Sequence, residues 1–132
     1  MKRWITPLMI LICIFSLSGC SNTSTSLDEI ENTAEVKIIQ YDKSNGTECG
    51  AIILTETANI QHIIDNLNSL ELKRKKAAPR TIIEYKLFLI NSNHEVIEMI
   101  SISVDDWIHF DGHFHFIQSG EIDRFYIEEL FK

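Results

Sequence analysis

Residues 81–104 read TIIEYKLFLINSNHEVIEMISISV. Two long, β-branched runs, Thr81 to Ile90 and Glu95 to Val104, flank Asn91-Ser92-Asn93-His94. In the second run Val96, Glu98, Ile100 and Ile102 alternate with Ile97, Met99, Ser101 and Ser103, which is the period of a strand. So short a polar turn joins antiparallel neighbours, because parallel strands need a crossover of a dozen residues or more. An antiparallel sheet is therefore expected at the centre of the chain.

The flanking segments extend this reading. Glu35 to Tyr41 predicts a strand, Lys43-Ser44-Asn45-Gly46 a tight turn, and Glu48 to Leu54 the returning strand. Ile60, Ile63, Ile64, Leu67 and Leu70 then fall at i, i+3, i+4, i+7 and i+10. That is one apolar stripe of a helix, capped by Thr55 or Thr57 and ending near Leu72, with His62 and Asp65 turned to solvent. Pro79 disfavours helix at Ala78, so residues 73–80 are expected to form a basic loop. After Asp105-Asp106, Trp107 to Phe110 and His113 to Ile117 predict a hairpin around Asp111-Gly112. Ser119 is expected to cap a last helix, Glu121 to Phe131, with Glu121 and Asp123 in its first turn. Ile122, Phe125, Ile127, Leu130 and Phe131 offer that helix its packing faces. The expected order is ββαββββα, an α+β fold in which an antiparallel sheet carries two helices packed on one face.

The segment 107–116, WIHFDGHFHF, holds three of the five histidines. A two-residue turn pairs Phe110 with His113 and leaves both faces mixed. A three-residue turn, with Gly112 in the left-handed position, pairs His109 with His113. It gathers His109, His113 and His115 beside Trp107 and separates them from Ile108, Phe114 and Phe116. That separation suits a half-buried sheet and favours the second register. There the three imidazoles form a candidate zinc or copper site, or a cluster titrating near ~6.5.

The N-terminus carries a different kind of signal. Lys2 and Arg3 precede the mostly apolar run Ile5 to Leu17, too short for the ~20 residues that cross a bilayer. Leu17-Ser18-Gly19-Cys20 resembles the lipobox of bacterial lipoproteins. The resemblance implies a signal peptide over 1–19, cleavage before Cys20, and diacylglycerol on the Cys20 thiol. Two acyl chains anchor a protein stably where one does not. Residues 20–34 would then be a lipidated Cys with a flexible Ser/Thr/Asn-rich tether. Residues 35–132 would be a single α+β domain.

Removing residues 1–19 takes away Lys2 and Arg3 and no acid. Ten Lys and Arg then face 19 Asp and Glu, a net charge of about −9. So acidic a domain is a poor nucleic-acid ligand. Cys13 leaves with the signal and Cys20 is acylated, so Cys49 has no partner for an internal disulfide and is expected as a small buried hydrophobe, with a free reactive thiol as the alternative. Lys73, Arg74, Lys75, Lys76 and Arg80 hold half the remaining positive charge. They can face anionic headgroups or an acidic partner, or simply solvate a loop at a helix C-terminus. No G-x-S-x-G, P-loop, H-E-x-x-H or C-x-x-C motif occurs, so no enzyme is expected.

The pattern of a strand pair, an amphipathic helix, a basic segment, long strands, an Asp111-Gly112 hairpin and a closing helix resembles small Gram-positive lipoproteins of the YhfM-like domain family. That resemblance implies no defined activity, and no functional residue is carried over from it. The expectation is a non-enzymatic lipoprotein on the outer face of the cytoplasmic membrane, binding an envelope protein or peptide through an exposed sheet face or edge. The alternative is a metal-binding or metal-sensing lipoprotein using His109, His113 and His115.

Overall fold

The two long runs pair as expected. The computed structural model describes residues 32–132. Within them β4 (Ile83–Ile90) and β5 (Val96–Ser103) form an antiparallel hairpin with Leu87 opposite Ile100 and Phe88 opposite Met99. The signal peptide, Cys20 and the tether up to residue 31 lie outside the described residues.

Around this hairpin stand β1 (Glu35–Tyr41), β2 (Glu48–Leu54), α1 (Thr57–Asn68), β3 (Glu71–Lys75), β6 (Trp107–Phe110), β7 (His113–Ser119) and α2 (Arg124–Leu130). The seven strands form one antiparallel sheet in the order β2-β1-β4-β5-β6-β7-β3. The α+β class holds. The element order gains a strand and becomes ββαβββββα.

That extra strand corrects the expected basic loop. Glu71 to Lys75 pair with β7, Leu72 opposite Ile117 and Lys75 opposite Phe114. An edge strand is bonded on one side only, and lysine on such an edge is a common guard against further pairing. Charge therefore marks this strand rather than excluding it. The helix before it accordingly ends at Asn68, short of Leu72. Glu56 occupies its N-cap without a side-chain hydrogen bond, in place of Thr55 or Thr57. At α2 the cap is Asp123, whose carboxylate accepts from the Tyr126 N–H, in place of Ser119.

Directly opposed residues of an antiparallel ladder project to the same side. One row crosses all seven strands: Gly50, Gln40, Tyr85, Ile102, Ile108, His115 and Arg74. This side carries the core. Val36, Ile38, Leu87, Leu89, Ile100 and Ile102 are fully buried beneath Ile60, Ile63, Ile64 and Leu67 of α1 and Ile127 of α2. Phe131, just past α2, lies over Gly50, where even a Cβ would come within 3.3 Å of the ring. Phe125, expected to pack, is 73% exposed.

Candidate functional site

The second row across the sheet defines the opposite face: Ala51, Ile39, Lys86, Ser101, His109, Phe114 and Lys75. Beside it run Ile53, Lys37, Phe88 and Met99 in one direction and Trp107, Phe116 and Lys73 in the other. Among the described residues no helix covers this face. Of the five large apolar side chains exposed among the described residues it carries four: Ile53 (60%), Val96 (57%), Met99 (40%) and Phe116 (39%). Isolated exposed apolar residues are ordinary on any protein, but several sharing one surface mark a contact region.

At the β3 end of this face Trp107 and Phe116 meet edge to face, with ring centroids 5.7 Å apart. They floor an open groove of about 560 Å³ walled by Lys75, Lys76 and Ala77. Lys73 stands opposite Phe116, and Lys75 opposite Phe114. The five basic residues between 73 and 80 are thus divided. Lys73 and Lys75 point to the uncovered face, Arg74 to the helix side, and Lys76 and Arg80 sit exposed in the following loop.

The β2 end differs. Its strand contributes seven residues, Glu48-Cys49-Gly50-Ala51-Ile52-Ile53-Leu54, with no Lys, Arg or Pro. Among the described residues no strand pairs with its outer edge. Cys49 is a free, exposed thiol, not the buried hydrophobe expected of it. It sits at an irregularity in the ladder, where Gln40 pairs with Gly50 and Tyr41 with Glu48. The extra residue is turned out of the core.

The histidine hairpin takes the register that the hydrophobic pattern disfavours. Phe110 pairs with His113, His109 with Phe114 and Ile108 with His115. Asp111 and Gly112 have φ of 49° and 71°. That is the double left-handed turn for which Asp-Gly is suited, and its twist matches the strands. His109 therefore lies on the uncovered face, while His113 and His115 lie on the helix side. The arrangement of three imidazoles on one face is not formed, and among the described residues no three His, Cys, Asp or Glu side chains gather as a metal-holding group. His115 is 2% exposed and stacks on Phe110 at 4.3 Å, with Nδ1 lacking a partner. Burial pushes its pKa down, against the opposing pull of a backbone hydrogen bond at His113. Arg74 donates from Nη2 to Nδ1 of His113 at 2.9 Å. Guanidinium can only donate, so that nitrogen of His113 is an acceptor and is already engaged.

Two polar clusters on the helix side went unread in the sequence. Glu84 is 1% exposed, between Ile83 and Tyr85 of β4, where Lys86 is the other charged residue. The ladder shifts between Ile83 and Tyr85, leaving Glu84 as the unpaired residue of a bulge. Arg124 donates to it from Nε at 2.8 Å, and from its other nitrogens to Asp106 at 3.2 Å and to the Ser103 carbonyl at 3.0 Å. Lys43 approaches the second oxygen of Glu84 at 2.8 Å. Beside it the buried Tyr85 hydroxyl is pushed up to about 12, by burial first and then by the Glu84 charge. A charged residue in a mostly apolar strand was the one available signal for this cluster. The second cluster joins the helices. His62 lies 2.9 Å from Asp123 and stacks on Tyr126 at 3.7 Å. Asn66 accepts from the Asp123 N–H and donates to the Glu121 carbonyl, and Tyr126 donates to Asn59. The Asp123 carboxyl is held below the usual carboxylate range by the His62 contact and then by the Tyr126 N–H. Both clusters are occupied in fixing α2 to its neighbours.

Compared with protein-family models, curated proteins and solved structures, the chain matches none of them.

Proposed function

We propose that the chain is a membrane-anchored extracytoplasmic lipoprotein that binds rather than catalyses, and that it receives an extended segment of an envelope protein or peptide on the uncovered sheet face beside β2. The observation that carries this is the sharing of one face by Ile53, Val96 and Met99, three large apolar side chains exposed to water. Their partial solvation is relieved by a partner, and the bare edge of β2 offers backbone groups to the same segment. The engagement of Glu84 with Arg124 and of His62 with Asp123 supports a binding role, because these polar groups serve the fold.

Site-specific photo-crosslinking in the producing cell tests the reading. A crosslinker in place of Ile53 should capture a discrete partner, and the same group in place of Phe125, on α2, should not. Equal capture at both positions, or none at Ile53, overturns it. Anchoring is read separately: palmitate label should enter the wild-type chain and be lost in Cys20→Ala.

A further inference from the structure

We infer that the β3 end of the uncovered face docks on an anionic lipid surface, with Trp107 and Phe116 at headgroup depth and Lys73, Lys75 and Lys76 against the headgroup charges. The docking rests on the membrane location proposed above, which brings such a surface within reach. The two requirements of an interfacial contact occur together here, around an open groove. The aromatic pair supplies rings suited to the boundary between water and acyl chain, where Trp is enriched. The lysines supply mobile point charges on long apolar stems, which lie along the aromatic floor while the ammonium groups reach outward.

Charge complementarity selects the occupant. The whole chain has a formal net charge of −7, yet its uncovered face presents Lys37 and Lys86 on inner strands and Lys73 and Lys75 on the β3 edge. The acids nearest to Trp107 are turned to other duties. Asp105 accepts from the Thr81 hydroxyl at 2.8 Å, and Asp106 from Arg124. A peptide is disfavoured at this end, because β3 has only five residues and its charged side chains blunt it against strand addition. The peptide site proposed at β2 and the lipid contact thus occupy opposite ends of one sheet.

The test uses the full chain carrying Trp4→Phe, so that Trp107 is the single tryptophan. It is incubated with vesicles of phosphatidylcholine, alone or mixed with phosphatidylglycerol, with brominated acyl chains as quencher. Trp107 emission should be quenched and blue-shifted with the anionic vesicles, and added salt should reverse this. Lys73→Gln and Lys75→Gln should each weaken the quenched state about fivefold, the factor expected for removing one lysine from an anionic surface. Sedimentation of the chain with anionic vesicles while Trp107 stays unquenched overturns the docking and leaves the anchoring intact. Quenching by anionic vesicles with no binding to neutral ones supports the docking whether or not the palmitate label shows an anchor. A response of Trp107 to an acidic peptide but not to anionic vesicles overturns the inference in favour of a protein partner.

Discussion

The two faces of the sheet reverse the usual placement of polar and apolar groups. Under the helices, among Ile38, Leu87 and Ile100, lie a carboxylate and an imidazole, Glu84 and His115, each almost wholly removed from water. On the face without helices lie Ile53, Met99 and Phe116, each at least 39% exposed. The difference teaches what each side is for. Burying a charge costs several kcal/mol unless it is paired, so the Arg124–Glu84 contact is a fixed joint between helix and sheet. Exposed apolar side chains contribute little to the fold of the chain alone, and what they gain comes from whatever covers them.

The sharpest way to break this contrast is to remove the joint. Arg124→Ala strips Glu84 of its best-placed partner and leaves Lys43, more than half exposed, as its only nearby cation. The expected loss in urea unfolding is roughly 2–4 kcal/mol, a little under the ~3–5 kcal/mol for breaking a fully buried pair because Arg124 is 25% exposed. Glu84→Gln in the Arg124→Ala background should recover part of it, since the uncompensated charge is then gone. Lys43→Ala alone should cost under about 1 kcal/mol, as exposed ion pairs do. A large loss for Lys43→Ala and a small one for Arg124→Ala would mean that the joint runs through the β1–β2 turn instead.

The imidazole under the helices makes a pH prediction whose sign follows from burial. His115 is kept neutral in the fold because its pKa is pushed down. The unfolded chain takes up that proton at the ordinary value near 6.5, so unfolding gains protons below it. Stability should be complete above about pH 6.5 and should fall as the pH drops below that value, until the folded-state pKa is passed. His115→Phe keeps a ring against Phe110 and should flatten the curve between about pH 7 and pH 5. An acid limb unchanged in His115→Phe would mean that the burial of this imidazole does not set the pH dependence.

How much of this the sequence carried depends on whether side-chain pattern or backbone geometry decides. The β4–β5 hairpin and the α1 stripe were legible because Ile100, Ile102, Ile60 and Leu67 repeat at the period of the element that buries them. The Glu71–Lys75 strand was not, because an edge strand needs little apolar content and its lysines imitate a loop. The histidine register was misread for a related reason. Separating polar from apolar assumes that one face meets water and that imidazole belongs there. Here both faces of the hairpin carry aromatic rings, so the Asp111-Gly112 turn preference decided the register alone. The sites follow the same division. The basic residues were visible as a composition run, but their split between Lys73 and Lys75 on one side and Arg74 on the other exists only once β3 is paired.

The smallest expected effect is the most informative about the uncovered face. Ile53→Ser and Met99→Ser remove apolar surface that is already largely wet, so each should change unfolding stability by no more than about 0.5 kcal/mol. Mutations of core residues on the other side, such as Leu87→Ala, should cost about 2–5 kcal/mol in the same measurement. The two serine variants should instead lower capture at neighbouring crosslinker positions, because the partner loses the apolar contacts it completes. Should Ile53→Ser destabilise the isolated chain as much as a core substitution, these side chains would already be covered from within. The uncovered face would then be part of the core, and its residues would no longer mark a binding surface.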